Sequence, residues 1–366
     1  MRLRMTSIVW MGTALGAACS GSEAGQPQGG DDADALAADA DAATDADMEA
    51  VADATAATDS ALADSALTDS APHDIYHPDT AGAQDAEPEV VVVPVVCDDG
   101  VDPSDPRCHD TDLDGVPDHD DLWPDDPERP GTVAESTVYA NTWAELYRLG
   151  VKTHPIELQC AFEFPDDGGT HGMTDIAVDR WGVLYGITFD RLYVIHPRTC
   201  ECTWLANLDG AWNGLTFLPR GTLDPDDDVL VGLTVGGAWF RLDIADGVAV
   251  STLLGSLGEG RGSSGDAFSV VELGTYAVAD HGEGTVDELA VIDPTTGAIA
   301  SVIGPIGHYT AIYGLAGWYE MAFAFDEDGD VLSIDTDTGA VDLIGHKPGV
   351  YWWGAGVKAR IGPSGL

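Results

Sequence analysis

The sequence is poor in positive charge, with 15 Lys and Arg set against 64 Asp and Glu in 366 residues and a formal net charge of -49. Such a chain is repelled by phosphate backbones and anionic lipid surfaces, which excludes nucleic acid as a partner and favours divalent cations. The apolar run at residues 5–18 is too short to span a bilayer as a stable helix. No Gly-x-Ser-x-Gly nucleophile motif, phosphate-binding loop or dinucleotide fingerprint is present, so those motif-borne chemistries are excluded. Cys200-x-Cys202 lacks the two further ligands a zinc site needs.

What acidity there is concentrates early: residues 20–130 hold 31 acidic and 2 basic residues. From residue 131 onward aromatics, Val, Leu and Gly dominate, over a length that can bury a full core. The chain therefore divides into residues 1–18, 19–89, 90–130 and 131–366.

Arg2 and Arg4 precede the apolar run that ends at Ala18, the pattern of a signal peptide. Gly16-Ala17-Ala18-Cys19 with Ser20 behind it resembles a bacterial lipoprotein signal. That resemblance implies export, lipidation of Cys19 and sorting to the outer membrane, on its periplasmic side or at the cell surface. Residues 19–89 are mostly Asp, Ala, Thr and Ser; they cannot offset their ordering entropy by burial and read as a disordered acidic tether. Residues 90–96, interrupted by Pro94, read as an edge strand or a linker.

The second half repeats. Similar short strands begin at Thr174, Asn213, Phe268, Tyr313 and Trp353, spaced by roughly 40 to 55 residues, with three strand-like runs between them. Corners such as DPTTG from Asp293 and DTDTG from Asp335 punctuate the runs, Asp capping the turn and Gly supplying positive φ. This predicts an all-β propeller of five blades, with six the nearest alternative and a Gly-rich β-sandwich the other architecture. Residues 138–164 hold three runs without a first strand, and the copy at Trp353 has none after it. Joining them closes the ring with strands from both ends of the domain and removes exposed edges. Asp175, Gly214, Ser269, Gly314 and Gly354 are small at matched positions, as strands crowding an axis require.

Residues 110–124, DTDLDGVPDHDDLWP, place oxygen donors at alternate positions around Gly115. Asp110, Asp112, Asp114, Asp118, Asp121 and the Val116 carbonyl are candidate ligands for calcium. The pattern with Pro124 resembles a thrombospondin type 3 repeat, which implies calcium binding; bound calcium would stiffen the junction by neutralising carboxylates that otherwise repel. Export permits disulfides, so Cys97 is expected to pair with Cys108, and Cys160 with either Cys200 or Cys202, leaving one thiol over.

In a propeller, loops leading into first strands and loops joining second to third strands share one face. His171, His308, His346 and His281 fall in such loops, and Trp212, Phe268, Tyr313, Trp352 and Trp353 stand at or beside the same mouth. Aromatics around a polar depression suit stacking on sugar rings or a peptide. The reading is a non-catalytic binding module of the cell envelope for a polysaccharide or protein ligand. Two others stand beside it: a glycan-active enzyme, by resemblance to glycosidases on five-bladed propellers, using Asp175 and Glu272 as the acids of the inner strands; and a purely structural envelope protein.

Overall fold

β-Branched and aromatic runs bounded by Gly and Asp corners build this domain almost entirely from strands. The computed structural model describes residue 97 and residues 104–360, except 135, 167–170, 211, 246, 259 and 283. The signal segment, Cys19, the tether and residues 90–96 lie outside the described residues. Among the described residues there are 20 strands and one 3-10 turn, Pro106–Cys108, and no helix long and apolar enough to cross a membrane.

The strands form five four-stranded antiparallel blades. The second comprises β4 (Asp175–Val178), β5 (Leu184–Ile187), β6 (Arg191–Ile195) and β7 (Cys202–Asn207). The third is β8 (Trp212–Leu218), β9 (Val229–Thr234), β10 (Ala238–Ala245) and β11 (Val248–Ser256). Next come β12 (Gly262–Val270), β13 (Gly274–Asp280), β14 (Glu288–Ile292) and β15 (Ile299–Pro305) in the fourth, then β16 (Ile312–Trp318), β17 (Met321–Asp326), β18 (Asp330–Asp335) and β19 (Val341–His346) in the fifth. The first blade is composite: β1 (Thr137–Asn141), β2 (Glu145–Gly150) and β3 (Ile156–Ala161) receive β20 (Gly354–Gly356) as their inner strand, with Asn141 opposite Gly354 and Tyr139 opposite Gly356. The ring is thus closed by strands from both ends of the domain, and the inner strands β20, β4, β8, β12 and β16 neighbour one another around the axis.

The outer strands meet head to tail. A parallel bridge joins Glu163, beyond β3, to Glu201 before β7; Val248 of β11 pairs in parallel with Asn207 of β7; the Ile299 N–H donates to the Leu257 carbonyl. The β11–β7 pairing merges the second and third blades into one eight-stranded sheet. At the first of these junctions Cys160 is disulfide-bonded to Cys200, which resolves the choice between Cys200 and Cys202; Cys97 is joined to Cys108. Cys202 is left as a buried thiol, pushed up to about 12 by burial.

The corners behave as their sequence demands. Asp293 accepts the Thr295 N–H and Asp335 those of Asp337 and Thr338, while Gly297 and Gly339 take φ of +69° and +70°. Between the blades lie the hydrophobic cores, where Trp352 packs edge-on against Tyr147 and Phe325 and Trp212 against Phe240.

One register differs from expectation. In the fourth blade the repeated strand matches from Gly265, three residues before Phe268, so Asp266 stands where Asp175, Gly214, Gly314 and Gly354 stand in the other blades. The contacts fix this: a Cβ on Gly214 would reach the Gly265 carbonyl, one on Gly265 the Tyr313 backbone, one on Gly314 the Gly354 backbone. A bulge in β12 between Ser263 and Ala267 shifts the apolar residues relative to the axis, and the apolar pattern alone hides it. Ser269 is consequently not an axial residue, and Glu272 is not on an inner strand: it sits exposed in the turn after β12 with φ of +70°.

Candidate functional site

At the axis, backbone geometry aims the same N–H of every inner strand at two carboxyl groups. Asp175 accepts from Ile176 and Leu215, and Asp266 from Ala267, Leu315 and Ala355, at 2.5–3.1 Å. Both side chains are fully buried and hydrogen-bonded to each other. Burial raises both carboxyls well above the usual carboxylate range, and the charge of Asp266 raises Asp175 further; a hydrogen bond between two carboxyl groups needs a proton between them. The pair ties the five blades together. Two carboxyls in contact and sealed from solvent leave no room for a glycosidic bond between them, and Glu272 lies elsewhere, so the acid pair expected for glycan chemistry is not assembled.

The upper face, carrying loops into the inner strands and between second and third strands, presents an aromatic cluster. Trp353 and Tyr313 stand at the upper ends of β20 and β16; Trp143 rises from the β1–β2 turn and Phe189 from the β5–β6 turn. Ring centroids are 5.0 Å apart for Trp143 and Trp353, 6.1 Å for Trp143 and Phe189, 6.2 Å for Phe189 and Trp353, and 6.1 Å for Tyr313 and Trp353. Trp143 and Phe189 are 36% and 43% exposed. Tyr313 directs its hydroxyl toward Glu327 at 3.5 Å. Below this rim the buried amide oxygens of Asn141 and Asn213 have no partner among the described residues, although their NH2 groups donate to the Met173 and Ser263 carbonyls.

Of the expected mouth residues, Tyr313 and Trp353 belong to this cluster. Trp212, Trp352 and Phe268 do not: they are buried in the cores, because adjacent residues of a strand face opposite ways and only one of a Trp-Trp pair can reach the mouth. The four histidines do not converge. His171 stacks on Phe164 with Nδ1 3.3 Å from the Tyr193 hydroxyl; His281 lies 3.5 Å from Glu288; His308 stacks on Tyr309; His346 Nδ1 is 2.7 Å from Asp330. Trp143 and Phe189 escaped the sequence reading although both occupy second-to-third-strand turns, the same signal that selected His281.

The acidic loop folds on itself before it offers anything to a ligand. Asp110 accepts the N–H groups of Leu113 and Gly115, Asp112 that of Asp114, Asp114 that of Val116 and Asp121 that of Trp123. Leu113 and Gly115 take φ of +66° and +96° to make the reversal. Oxygens of Asp110, Asp112 and Asp114 come within 4.8 Å of one another. The second oxygens of Asp112, Asp114 and Asp121 are buried without a hydrogen-bond partner among the described residues. Burial first, then the neighbouring carboxylates, raise Asp112, push Asp114 up to about 7 and push Asp121 up to about 6. The converging oxygens of Asp110, Asp112 and Asp114, with orphaned carboxylate oxygens on Asp112, Asp114 and the nearby Asp121, make a hard-donor set that fits calcium. Asp118 is engaged otherwise, accepting from the Thr111 N–H and hydroxyl and lying 2.8 Å from His109, so it braces the loop and is not part of the convergent set.

This loop is docked, not a separate hinge. Val116 is fully buried in the core shared by the second and third blades, and Leu122 and Trp123 pack against the same core. Asp120 accepts from Arg180 at 3.0 Å and from the Trp181 indole at 2.7 Å, and Arg107 reaches Asp226. Residues 104–130 and the blades form one compact unit, so the division at residue 130 is one of sequence character only.

No protein-family model matches the chain, and no curated protein matches it. Solved structures do. One is the computationally designed protein Ika8, 18% identical, covering 59% of this chain and 61% of its own, with a TM-score of 0.30. A symmetrical protein described for its de novo evolutionary emergence is 15% identical over 62% of this chain and 99% of its own, TM-score 0.41. BamB from Moraxella catarrhalis is 15% identical over 60% of each chain, TM-score 0.30. The chain spans about three fifths of the length of Ika8 and of BamB.

Proposed function

We propose that the protein is an exported, lipid-anchored binding module of the cell envelope whose upper propeller mouth takes a polysaccharide. The observation that carries the ligand class is the partly exposed cluster of Trp143, Phe189, Tyr313 and Trp353 at the upper ends of the inner strands. Flat aromatic faces beside a carboxylate suit the C–H faces and hydroxyls of sugars. Calcium held by Asp110, Asp112, Asp114 and Asp121, with the Val116 carbonyl available, supplies the charge that lets these carboxylates stay ionised while buried. It thereby firms the docking of the loop onto the second blade. Export, the lipid on Cys19 and the outer-membrane address rest on the residues around Cys19, and the acidic stretch behind it serves as the spacer.

The test incubates the protein, in calcium, with a panel of envelope and environmental polysaccharides and records both retention and released products. Retention without release supports the binding module. Released product makes the protein a glycan-active enzyme and overturns this reading.

A further inference from the structure

A recess opens on the opposite, lower face, where the β4–β5 turn, the loop after β8 and strand β10 meet the acidic loop. Its volume is about 350 Å³, within the range of small-molecule pockets. Tyr185 and Phe217, edge to face at 5.0 Å, form an aromatic wall continued by Leu230, Leu242 and Ile244. The polar lining is lopsided: Asp120, Asp179, Asp224, Asp227, Asp228 and Asp243 face two arginines. Both arginines are already matched within the wall. Arg180, 10% exposed, lies 3.0 Å from Asp120 and 3.6 Å from both Asp227 and Asp228, and Arg241 Nε holds both oxygens of Asp243 at 2.9 and 3.0 Å. A surplus of negative charge remains.

Two deep polar atoms find no partner among the described residues. Asp179 uses Oδ1 to accept three N–H groups at 2.9 Å, from Trp181, Gly182 and Val183, while Oδ2 accepts from none of the described residues. The Tyr185 hydroxyl makes no hydrogen bond with the described residues, its surroundings being apolar contacts and nearby carboxylates. Both residues are more than nine-tenths buried and both line the recess. Unsatisfied acceptors, excess negative charge and aromatic faces together complement a group that is cationic, donates only, and carries an alkyl body. A metal ion fits less well: in the His119, Asp120 and Asp227 group, Asp120 Oδ2 already takes the Arg180 guanidinium and the Trp181 indole N–H.

We propose that this recess binds an alkylammonium group, with Asp179 Oδ2 and the Tyr185 hydroxyl accepting from its N–H donors and the Tyr185 and Phe217 rings covering the chain. A free diamine and a lysine side chain share this chemistry. His119 and Asp120 lie between Asp118 and Asp121, so the acidic loop supplies one wall of the recess.

The experiment is calorimetric titration of the whole chain, in saturating calcium, with 1,5-diaminopentane, with N-acetyl-lysine methylamide and with neutral 1-pentanol. Asp179→Asn keeps Oδ1 for its three N–H partners and replaces Oδ2 by a donor; Tyr185→Phe removes a hydroxyl that holds nothing else. The expected result is binding of at least one amine, no binding of pentanol, a loss of at least about tenfold in Asp179→Asn and of severalfold in Tyr185→Phe. Which amine binds separates the two sources. No heat from either amine up to about 10 mM, in a range where pocket ligands of this size register, overturns the proposal. So does pentanol binding as tightly as the amines, or an unchanged affinity in Tyr185→Phe together with Asp179→Asn. Should Asp179→Asn not fold, Tyr185→Phe decides alone.

Discussion

Replacing Asp266 with Ala removes the acceptor of three buried N–H groups, those of Ala267, Leu315 and Ala355, each on a different inner strand. A buried donor left unsatisfied costs about 1–3 kcal/mol, so three amount to about 3–9 kcal/mol. Water entering the vacated space brings the expected cost into the lower half of that range. Asp175→Asn is milder, since one acceptor oxygen survives for Ile176 or Leu215, and it also removes one of the two carboxyls that must share a proton. The sign of its pH dependence follows from the raised titration of the pair. Groups with folded values above the unfolded ones stabilise fully below the unfolded value, near pH 4, and lose that contribution as pH rises through the folded value. The stability of the native sequence relative to Asp175→Asn therefore shrinks from acid toward alkaline pH. Urea unfolding followed by tryptophan fluorescence at several pH values reads both quantities. A cost under about 1 kcal/mol for Asp266→Ala, well below even one orphaned donor pair, would refute the axial role, as would a pH-independent difference for Asp175→Asn.

Gly265→Ala places a Cβ against the backbone of Tyr313 and 2.7 Å from the Ile312 carbonyl, where no flexible side chain can yield; a loss of about 3 kcal/mol in denaturant unfolding is expected. Opening the Cys160–Cys200 bridge in Cys160→Ser frees a loop of 40 residues and leaves only the Glu163–Glu201 bridge between the outer strands of the first two blades, costing about 4 kcal/mol on the chain-entropy scale. Cys202, buried and with its thiol pushed up to about 12, stays unreactive to thiol reagents until the domain unfolds. Calcium at about a hundred times its Kd raises stability by about 2.7 kcal/mol in thermal unfolding. Asp114→Asn abolishes that gain while stabilising the calcium-free protein at neutral pH, because it removes a carboxylate that burial and its neighbours push up to about 7.

Blade number and ring closure were legible because each blade repeats the same four-strand grammar, and a first strand missing at residues 138–164 has its counterpart at Trp353. The register of the fourth blade was not. The apolar run from Phe268 looks like the other inner strands, whereas the feature common to all is a small or acidic residue at the axis, and the bulge between Ser263 and Ala267 breaks the count. The mouth was read in part. Trp352 and Trp353 are indistinguishable in composition, and only the pleat decides that one is core and the other rim. The acidic loop was the most legible element, since Gly115 and alternating carboxylates act locally; that Asp118 turns to Thr111 and His109 depends on how the loop closes. The lower recess left no mark in the sequence, because residues 119–120, 179–185 and 217–244 meet only through the packing of two blades and the docked loop.

The most direct test of the upper mouth compares the native sequence with Trp353→Ala and Trp143→Ala in calorimetric titration with an oligosaccharide derived from whichever polysaccharide is retained. Loss of one stacked ring costs about 0.5–1.5 kcal/mol beyond its area, so a drop of roughly threefold to tenfold or more in affinity is expected in each variant, with an unfolding transition that persists. Unchanged affinity in both variants would contradict the assignment of this face as the binding surface.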